Sequence, residues 1–260
     1  MKDSLGDRMK LYEANVDHKL IRRTPVIVRI DGKAFHTFTK RFDRPFDELF
    51  MKAMHETAKV LCERIQSCKL AYTQSDEISL LLTDYESLQT RPWFDNRIQK
   101  ICSIAASIAT LAFNRAFERL VDEISSTHAA EKVAMYRNAI RMGGLFDARV
   151  YNVPKDDVTN YFLWRQNDAT RNSILSIGQA NFTYKELQNK SCNEIQEMLF
   201  TQRGINWNEY APKYKRGVCV IRTEEMFGDI IRHKWTIDED IPIFKGEGRE
   251  YIEVFVREED

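Results

Sequence analysis

Two aspartates in this 260-residue chain are placed for cation chemistry. Asp31 ends the segment 26–30, whose β-branched residues predict a strand buried on both faces, and Gly32 follows it. Asp76 lies between two further strand-like segments. Carboxylates at strand ends offer the oxygen ligands that Mg²⁺ prefers, and a glycine lets a ligand approach the backbone. Taken separately, each aspartate is also typical of an ordinary turn.

The elements around these aspartates decide whether the two can act together. Residues 46–66 carry apolar side chains at spacings of three and four, which predicts a helix. Residues 70–72 and 78–82 predict the strands of a β-hairpin with Asp76 near its tip. Strand, helix, strand and strand is the layout of a polymerase-type palm, in which the first strand can lie beside the hairpin. Two carboxylates at one site would suit a pair of Mg²⁺ ions that activate a hydroxyl and stabilise a leaving phosphate.

The rest of the chain completes an α+β fold. Residues 94–121 predict a long helix with one apolar face, and residues 146–153 predict a fourth core strand. The resulting βαββαβ order is that of a palm-type, ferredoxin-like antiparallel sheet with flanking helices. From residue 206 onward, aromatic and basic residues interleave in a helical and hairpin extension that either binds RNA or is an ordinary charged surface. We expect a palm-type catalytic domain over residues 1–135 and a C-terminal domain over residues 136–260.

Composition limits the class of protein. Lys and Arg total 39, as do Asp and Glu, so the net charge is zero and any polyanion would have to bind a local basic patch. The five cysteines form no CxxC pair, which argues against a zinc site and a disulfide framework and favours a reducing compartment. No apolar run approaches the length of a membrane span, and no N-terminal signal pattern is present. We therefore expect a cytoplasmic protein with no membrane partner.

Two motifs resemble the tRNA-His guanylyltransferase family: RIDGKAFHTF at residues 29–38 and AYTQSDEISLLL at residues 71–82. Its bacterial and archaeal guanylyltransferase-like members are reverse polymerases that extend RNA in the 3′-to-5′ direction. The resemblance continues through FDNRIQK at residues 94–100, FDARVYNVP at residues 146–154 and YFLWRQNDATRN at residues 161–172. It implies a nucleotidyltransferase that uses two Mg²⁺ ions per site and takes ATP and GTP or another NTP as substrates. It also implies tRNA as a partner and assembly as a homotetramer.

The same resemblance assigns roles to individual residues. It makes Asp31 and Asp76 the catalytic carboxylates and, with the Gly32 carbonyl, the metal ligands. It places the incoming nucleotide against a second group: Lys33, Ala34, Phe35, His36, Phe42, Arg44, Asp47 and Ser75. Successive backbone N–H groups after a strand, with a hydroxyl beside them, can cradle a triphosphate. It places the activated RNA 5′ end or the activating nucleotide against a third group: Arg29, Arg97, Lys100, Arg149, Asp168, Asn172 and Ser173.

One segment departs from the members that act on tRNA-His. Where they read D-x-H-I-N-N-L-Y-N-T, this chain reads DATRNSILSI at residues 168–177, so Thr170 replaces the histidine and Ser173 replaces the second asparagine. The departure favours the guanylyltransferase-like subgroup, which repairs truncated 5′ ends with the opposite strand as template. Three alternatives stay open here: addition of a single G to tRNA-His, a palm-type nucleotide cyclase, and a tRNA-binding module without catalysis.

Overall fold

The computed structural model describes residues 4–228 and 230–257, and its centre is an antiparallel sheet. Six strands form this sheet: β1 (Val26–Gly32), β2 (Cys68–Gln74), β3 (Glu77–Leu82), β4 (Phe146–Asn152), β5 (Val218–Phe227) and β6 (Ile230–Asp238). Their spatial order is β4-β1-β3-β2-β5-β6. The first four have the order of a ferredoxin-like βαββαβ unit, and the β5–β6 hairpin extends the β2 edge. The predicted fold class is confirmed.

Helices lie on both faces of the sheet. They are α1 (Leu5–Ala14), α2 (Phe35–Phe38), α3 (Glu48–Arg64), α4 (Ile98–Ile124), α5 (Ala130–Met142), α6 (Lys155–Asn181), α7 (Tyr184–Leu187), α8 (Cys192–Arg203), α9 (Pro212–Arg216) and α10 (Glu250–Glu253). Short 3₁₀ turns occur at Trp207–Glu209 and Gly246–Arg249, and Trp93–Asn96 is a turn with a left-handed backbone at Phe94 and Asp95. In the described ranges, none of these helices is both long enough and apolar enough to span a bilayer.

The alternation of side chains along β1 explains where the site lies. Val28 and Ile30 point into the core formed with α3 and α4, which contains a cluster of buried phenylalanine rings. Ile27 points to the other face, into the core formed with α6 and α10. Arg29 and Asp31 share the face of Ile27, because side chains two residues apart on a strand lie on one side. The strand therefore carries its charged residues towards α6 and towards the end of the sheet.

The C-terminal half of the chain contributes to the same sheet. β4 pairs with β1, and β5 pairs with β2, so the central strands have neighbours from both halves. The second half of α6 continues beyond the sheet and packs with α8 through a separate apolar cluster: Ile174, Ile177, Phe182, Ile195 and Leu199. The division into domains at residues 135 and 136 stays a prediction.

Candidate active site

The two candidate metal ligands lie side by side at one end of the sheet. β1 and β3 pair antiparallel with Asp31 opposite Glu77, and Asp76 lies in the two-residue turn between β2 and β3. The Gly32 N–H donates a 3.0 Å hydrogen bond to the carbonyl of Asp76. The backbone itself therefore fixes the end of β1 to the tip of the hairpin and brings the two aspartates together.

Gly32 is required at this junction because there is no space for a side chain. A Cβ atom there would lie 2.4 Å from Cδ2 of Phe35 and 2.9 Å from Cβ of Asp76, closer than such atoms approach. The Phe35 ring cannot move aside easily, since it is held among four other rings: Phe38, Phe50, Phe113 and Phe146. A larger residue would separate the strand end from the hairpin tip.

Asp76 is a partly buried carboxylate next to a second negative charge. Burial raises the pKa of Asp76 above the ordinary range of aspartate, and the charge of Asp31 raises this pKa further. A 3.1 Å hydrogen bond from the Ser75 hydroxyl and the nearby His36 act in the opposite direction. A cation held between the two carboxylates would relieve the unfavourable energy of keeping both ionised.

The donors at this position suit Mg²⁺. The carboxylates of Asp31 and Asp76 and the carbonyl of Gly32 are all oxygen donors, and Mg²⁺ commonly takes one or two carboxylates and completes its shell with water and substrate phosphate. In residues 4–228 and 230–257, no group of three or more His, Cys, Asp or Glu side chains is arranged as a metal site. Substrate phosphates would supply further oxygen ligands to a cation held by the two aspartates.

Glu77 follows Asp76 directly but is buried and neutralised. It is 5% exposed, and its Oε2 accepts hydrogen bonds of 2.9 Å from both Arg29 Nε and Arg165 Nη1. Burial raises the pKa of Glu77, and the two guanidinium groups oppose that shift. Because Arg29 lies on β1, Glu77 on β3 and Arg165 on α6, this carboxylate joins the three elements beside the site.

The loop after β1 offers backbone donors next to the carboxylates. The N–H of Lys33 donates to the carbonyl of Leu145 at 2.8 Å. In the part of the chain that the structure describes, the N–H groups of Ala34, Phe35 and His36 have no hydrogen-bond acceptor. Ala34 has a left-handed backbone with φ of 57°, and successive N–H groups around such a residue form a concavity that attracts anions.

A cavity of about 410 Å³ adjoins this loop and lies between α3, α6 and α9. Its volume is within the range of small-molecule sites. Five residues of the predicted nucleotide group line it: His36, Phe42, Arg44, Asp47 and Ser75. Asn172 and Ser173 of the predicted 5′-end group also line it. The cavity therefore joins the hairpin tip to a face of α6 that carries polar side chains.

Two of the predicted nucleotide contacts have structural roles here. The Phe42 ring is 6% exposed and packs in parallel with Phe117 at 5.6 Å between centroids, so little of it remains to stack on a base. Asp47 caps α3 by accepting the N–H of Phe50 at 3.0 Å, and its other oxygen accepts the Tyr136 hydroxyl at 2.7 Å. Both side chains also line the cavity, and their contact with a nucleotide stays a prediction.

Two members of the third predicted group lie beside the aspartates. Arg29 and Arg149 are cross-strand partners on β1 and β4, next to the pair formed by Asp31 and Asp147. Arg149 is exposed, with a guanidinium nitrogen 3.8 Å from the carboxylate of Asp147. Phosphate binding by these two arginines stays a prediction.

The α6 members of the third group have different surroundings. Asp168 forms a 2.9 Å ion pair with Arg165, so it supports the guanidinium that holds Glu77. Asn172 faces the cavity. Ser173 is buried, and its hydroxyl accepts a 3.1 Å hydrogen bond from Trp207. Of these three, Asn172 alone is directed at the cavity without a hydrogen-bond partner in the described ranges.

Arg97 and Lys100 lie at the opposite end of the sheet. Arg97 forms a backbone bridge with Lys19, before the start of β1, and an ion pair of 3.2 Å with Asp17. Asp31 is near the far end of β1, which has seven residues and therefore spans roughly 20 Å. Within one chain these two cations do not reach the carboxylates, and their contact with the RNA 5′ end stays a prediction.

Three residues of α6 that lie at the site were not predicted from the sequence: Arg165, Ser176 and Gln179. Arg165 lies on the apolar face of the helix, seven residues after the buried Val158. A charged residue at a buried helix position is unusual, so the spacing could have marked Arg165 as a candidate site residue. Ser176 and Gln179 follow Asn172 by four and seven residues and line the same cavity. Residues at these spacings share one helix face, so their polarity also marked this surface.

Asp76 should lower the stability of the metal-free protein at neutral pH. Since its pKa is raised in the folded state, its contribution to stability is fully present below the ordinary aspartate pKa and is lost as the pH rises through the raised value. In magnesium-free buffer we expect Asp76→Asn to have a higher Tm than the wild type at neutral pH. The difference should shrink towards about pH 4, where the wild-type carboxyl is protonated.

Thermal denaturation over a series of pH values measures this effect. Glu118→Gln, which removes an exposed charge on α4 that has no ion pair among the described residues, is the control for a change of net charge. An Asp76→Asn protein that is less stable than the wild type at neutral pH would contradict the electrostatic account.

Comparison with known proteins shows which family this chain belongs to. A family model described as tRNAHis guanylyltransferase matches residues 6–154, more than half of the chain. A bacterial tRNA(His) guanylyltransferase (Thg1)-like protein solved in complex with ATP aligns at a TM-score of 0.82 and 42% identity, covering 98% of this chain and 99% of its own. A bacterial protein of the same description solved with GTP aligns at a TM-score of 0.79 and 40% identity, with the same coverage of both chains.

A curated relative extends the similarity to a named enzyme. The tRNA(His) guanylyltransferase of Debaryomyces hansenii is 30% identical over 235 residues, which are 85% of this chain and 82% of the relative. The region matched by the family model contains β1, the β2–β3 hairpin and both aspartates. The chain therefore belongs to the tRNAHis guanylyltransferase family and is a nucleotidyltransferase with a palm-type sheet.

Proposed function

We propose that this nucleotidyltransferase adds nucleotides to the 5′ end of tRNA in the 3′-to-5′ direction and so repairs shortened 5′ ends. The observation that carries the proposal is that Asp31 and Asp76 lie next to each other, beside loop N–H groups that have no acceptor among the described residues. Carboxylates for a cation and donors for phosphate oxygens are what phosphoryl transfer requires of a protein, since catalysis there is chiefly positioning and charge stabilisation.

The reaction has an activation step and an addition step. An oxygen of the RNA 5′-monophosphate attacks the α-phosphorus of ATP, pyrophosphate leaves, and a 5′-adenylylated RNA forms. The 3′-hydroxyl of an incoming NTP then attacks the activated 5′-phosphorus, and AMP leaves as a phosphodiester bond forms. An RNA that already carries a 5′-triphosphate skips the first step and releases pyrophosphate in the second.

The residues at the site have separate roles in these two steps. Asp31, Asp76 and the Gly32 carbonyl would hold two Mg²⁺ ions, which supply charge stabilisation and a more acidic hydroxyl when bound. The N–H groups of residues 34–36 and the Ser75 hydroxyl bind phosphate oxygens of the nucleotide. His36 contributes to nucleotide binding, because this chemistry has little need of a separate acid–base group.

The cavity beside the hairpin tip accommodates the base of the nucleotide. Two bacterial relatives of known structure were solved in complex with nucleotides, one with ATP and one with GTP, so both purines are bound by proteins of this fold. In this chain Arg44, Asn172 and Gln179 line the cavity. ATP for activation and the incoming NTP for addition are therefore both substrates in this proposal.

The template strand, and not a protein site that recognises tRNA-His, selects the added base. Guanidinium groups such as those of Arg29 and Arg149 position a nucleic acid through its phosphates and carry no sequence information. Ser173, which replaces an asparagine of the enzymes specific for tRNA-His, is buried, and its hydroxyl accepts a hydrogen bond from Trp207. Pairing of the incoming NTP with the opposite strand supplies the selection that these residues lack.

Replacing either aspartate should abolish both chemical steps. We expect Asp31→Ala and Asp76→Ala each to lower incorporation into 5′-monophosphorylated and 5′-triphosphorylated RNA on the order of a thousandfold, because catalytic metal ions supply several kcal/mol. Gel analysis of labelled nucleotide addition measures both rates. Asp122→Ala, at an exposed position, should keep wild-type activity. An Asp76→Ala protein that adds nucleotides at the normal rate would refute the site assignment.

Template dependence separates repair from the addition of a single G. We expect each of the four NTPs to be incorporated into a 5′-truncated tRNA only when the opposing base is its complement, whatever the anticodon. The measurement varies the opposing base in turn and supplies one NTP at a time. Addition of G opposite every base, or activity confined to tRNA with the His anticodon, would contradict repair and favour the guanylyltransferase reaction.

We also propose a cytoplasmic homotetramer as the working form. Arg97 and Lys100 are exposed and distant from the carboxylates of their own chain, so a further subunit would let them contact RNA bound elsewhere in the assembly. Multi-angle light scattering at micromolar concentration should give four times the chain mass of 30.6 kDa. A monomer mass would contradict this proposal without affecting the chemistry.

A further inference from the structure

Trp164 of α6 is an exposed aromatic residue between buried ones. It is 52% exposed, whereas its helix neighbours Tyr161, Phe162 and Arg165 are buried. A single exposed apolar residue is common on protein surfaces and needs no function. What distinguishes Trp164 is the set of charged groups arranged around its ring.

Two guanidinium groups fix the position of the indole. The carbon of the Arg165 guanidinium lies 3.8 Å from the ring centroid, and that of Arg29 lies 5.7 Å from it. Both guanidinium groups are themselves held by the buried carboxylate of Glu77. Tyr161 packs against the indole in an edge-on arrangement at 5.9 Å. The ring is therefore oriented before any ligand arrives, which lowers the entropic cost of binding to it.

The ring is also close to the catalytic carboxylates. Arg29, which it contacts, precedes Asp31 by two residues on the same face of β1. Exposed cations flank this surface: Arg149 lies opposite Arg29 on β4, and Arg171 lies two turns after Trp164 on α6. An exposed aromatic ring among arginines is the combination with which proteins bind a base and its phosphates without sequence preference.

We propose that Trp164 forms the stacking platform for the base of the 5′-terminal nucleotide of the RNA, whose phosphate is activated at Asp31 and Asp76. This inference rests on the proposed function and adds to it a residue outside the carboxylate site. Arg29 and Arg149 bind the phosphates of the same strand. Since every base presents an aromatic face, the platform accepts any terminal base, as repair of different tRNAs requires.

The occupant is a nucleobase rather than a second copy of this chain because the surface adjoins the carboxylate site. The surface around Trp164 carries arginines from β1, β4 and α6, and it adjoins a site whose chemistry requires a phosphate. Each of these arginines has a carboxylate beside it, Glu77, Asp147 or Asp168, so it is the adjoining phosphate chemistry that favours a nucleotide. The alternative, burial of Trp164 between subunits, is an outcome of the test below.

The test compares three variants of Trp164. Trp164→Ala should weaken binding of a 5′-monophosphorylated acceptor-stem RNA by about 5- to 150-fold, which is the range that a base–aromatic stack contributes. Trp164→Phe should keep most of the affinity. Trp164→Leu keeps apolar cover over Arg165 but cannot stack, so it should behave as the alanine variant does. ATP binding should not change in any of the three, because the nucleotide cavity does not include this residue.

An RNA that lacks the terminal base separates stacking from a structural effect. We expect the abasic RNA to bind the wild-type protein as weakly as normal RNA binds Trp164→Ala, and the two changes together to cost little more than either alone. Additive losses, or equal affinity of the Leu and Phe variants, would overturn the proposal. So would a change of mass of Trp164→Ala in light scattering, which would assign the residue to a subunit interface.

The two proposals fail in distinguishable ways. Nucleotide addition by the wild-type protein together with unchanged RNA binding by Trp164→Ala would remove the platform and leave the reaction intact. No nucleotide addition by the wild-type protein would remove the reaction itself.

Discussion

The hydrogen bond from the Gly32 N–H to the carbonyl of Asp76 sets the geometry on which the rest of this site depends. It holds two carboxylates together although their charges repel and although burial already disfavours ionisation of Asp76. The surrounding structure resists this repulsion through the register of β1 with β3 and through the packed ring of Phe35. The fold thus keeps an unfavourable arrangement that becomes favourable when a cation and a phosphate arrive.

The two acidic residues of the hairpin differ in role: Asp76 is available to a cation, and Glu77 is part of the structure. Asp76 lies at the turn, where no guanidinium neutralises it in the described ranges, and remains available to a cation. Glu77 lies one residue later, inside the sheet, where Arg29 and Arg165 neutralise it and connect α6 to β1 and β3. Removing one partner of such a buried pair lowers the stability of the fold, because the remaining buried charge has neither a partner nor contact with water. The same network orients the surface beside Asp31.

The sequence predicted those parts of the protein that local pattern determines. Alternation and β-branched residues located β1 and the hairpin, and the order of elements predicted the sheet. The start of α4 was predicted at residue 94, but Phe94, Asp95 and Asn96 have φ between 50° and 58°, and the helix begins at Ile98. The pairing of Arg165 with Glu77 and the structural roles of Phe42 and Asp47 depend on packing between distant segments, which periodicity does not specify.

The central claim is that Asp31 and Asp76 act as one cation site. Electron paramagnetic resonance of Mn²⁺ in the presence of a non-hydrolysable ATP analogue tests it on the wild-type protein, Asp31→Asn, Asp76→Asn and the double variant. We expect each single variant to weaken Mn²⁺ binding strongly. The double variant should bind Mn²⁺ about as weakly as the weaker-binding single variant, because the effects of substituting two residues that share one ion are not additive. Fully additive losses, or wild-type Mn²⁺ binding by either single variant, would contradict a shared site.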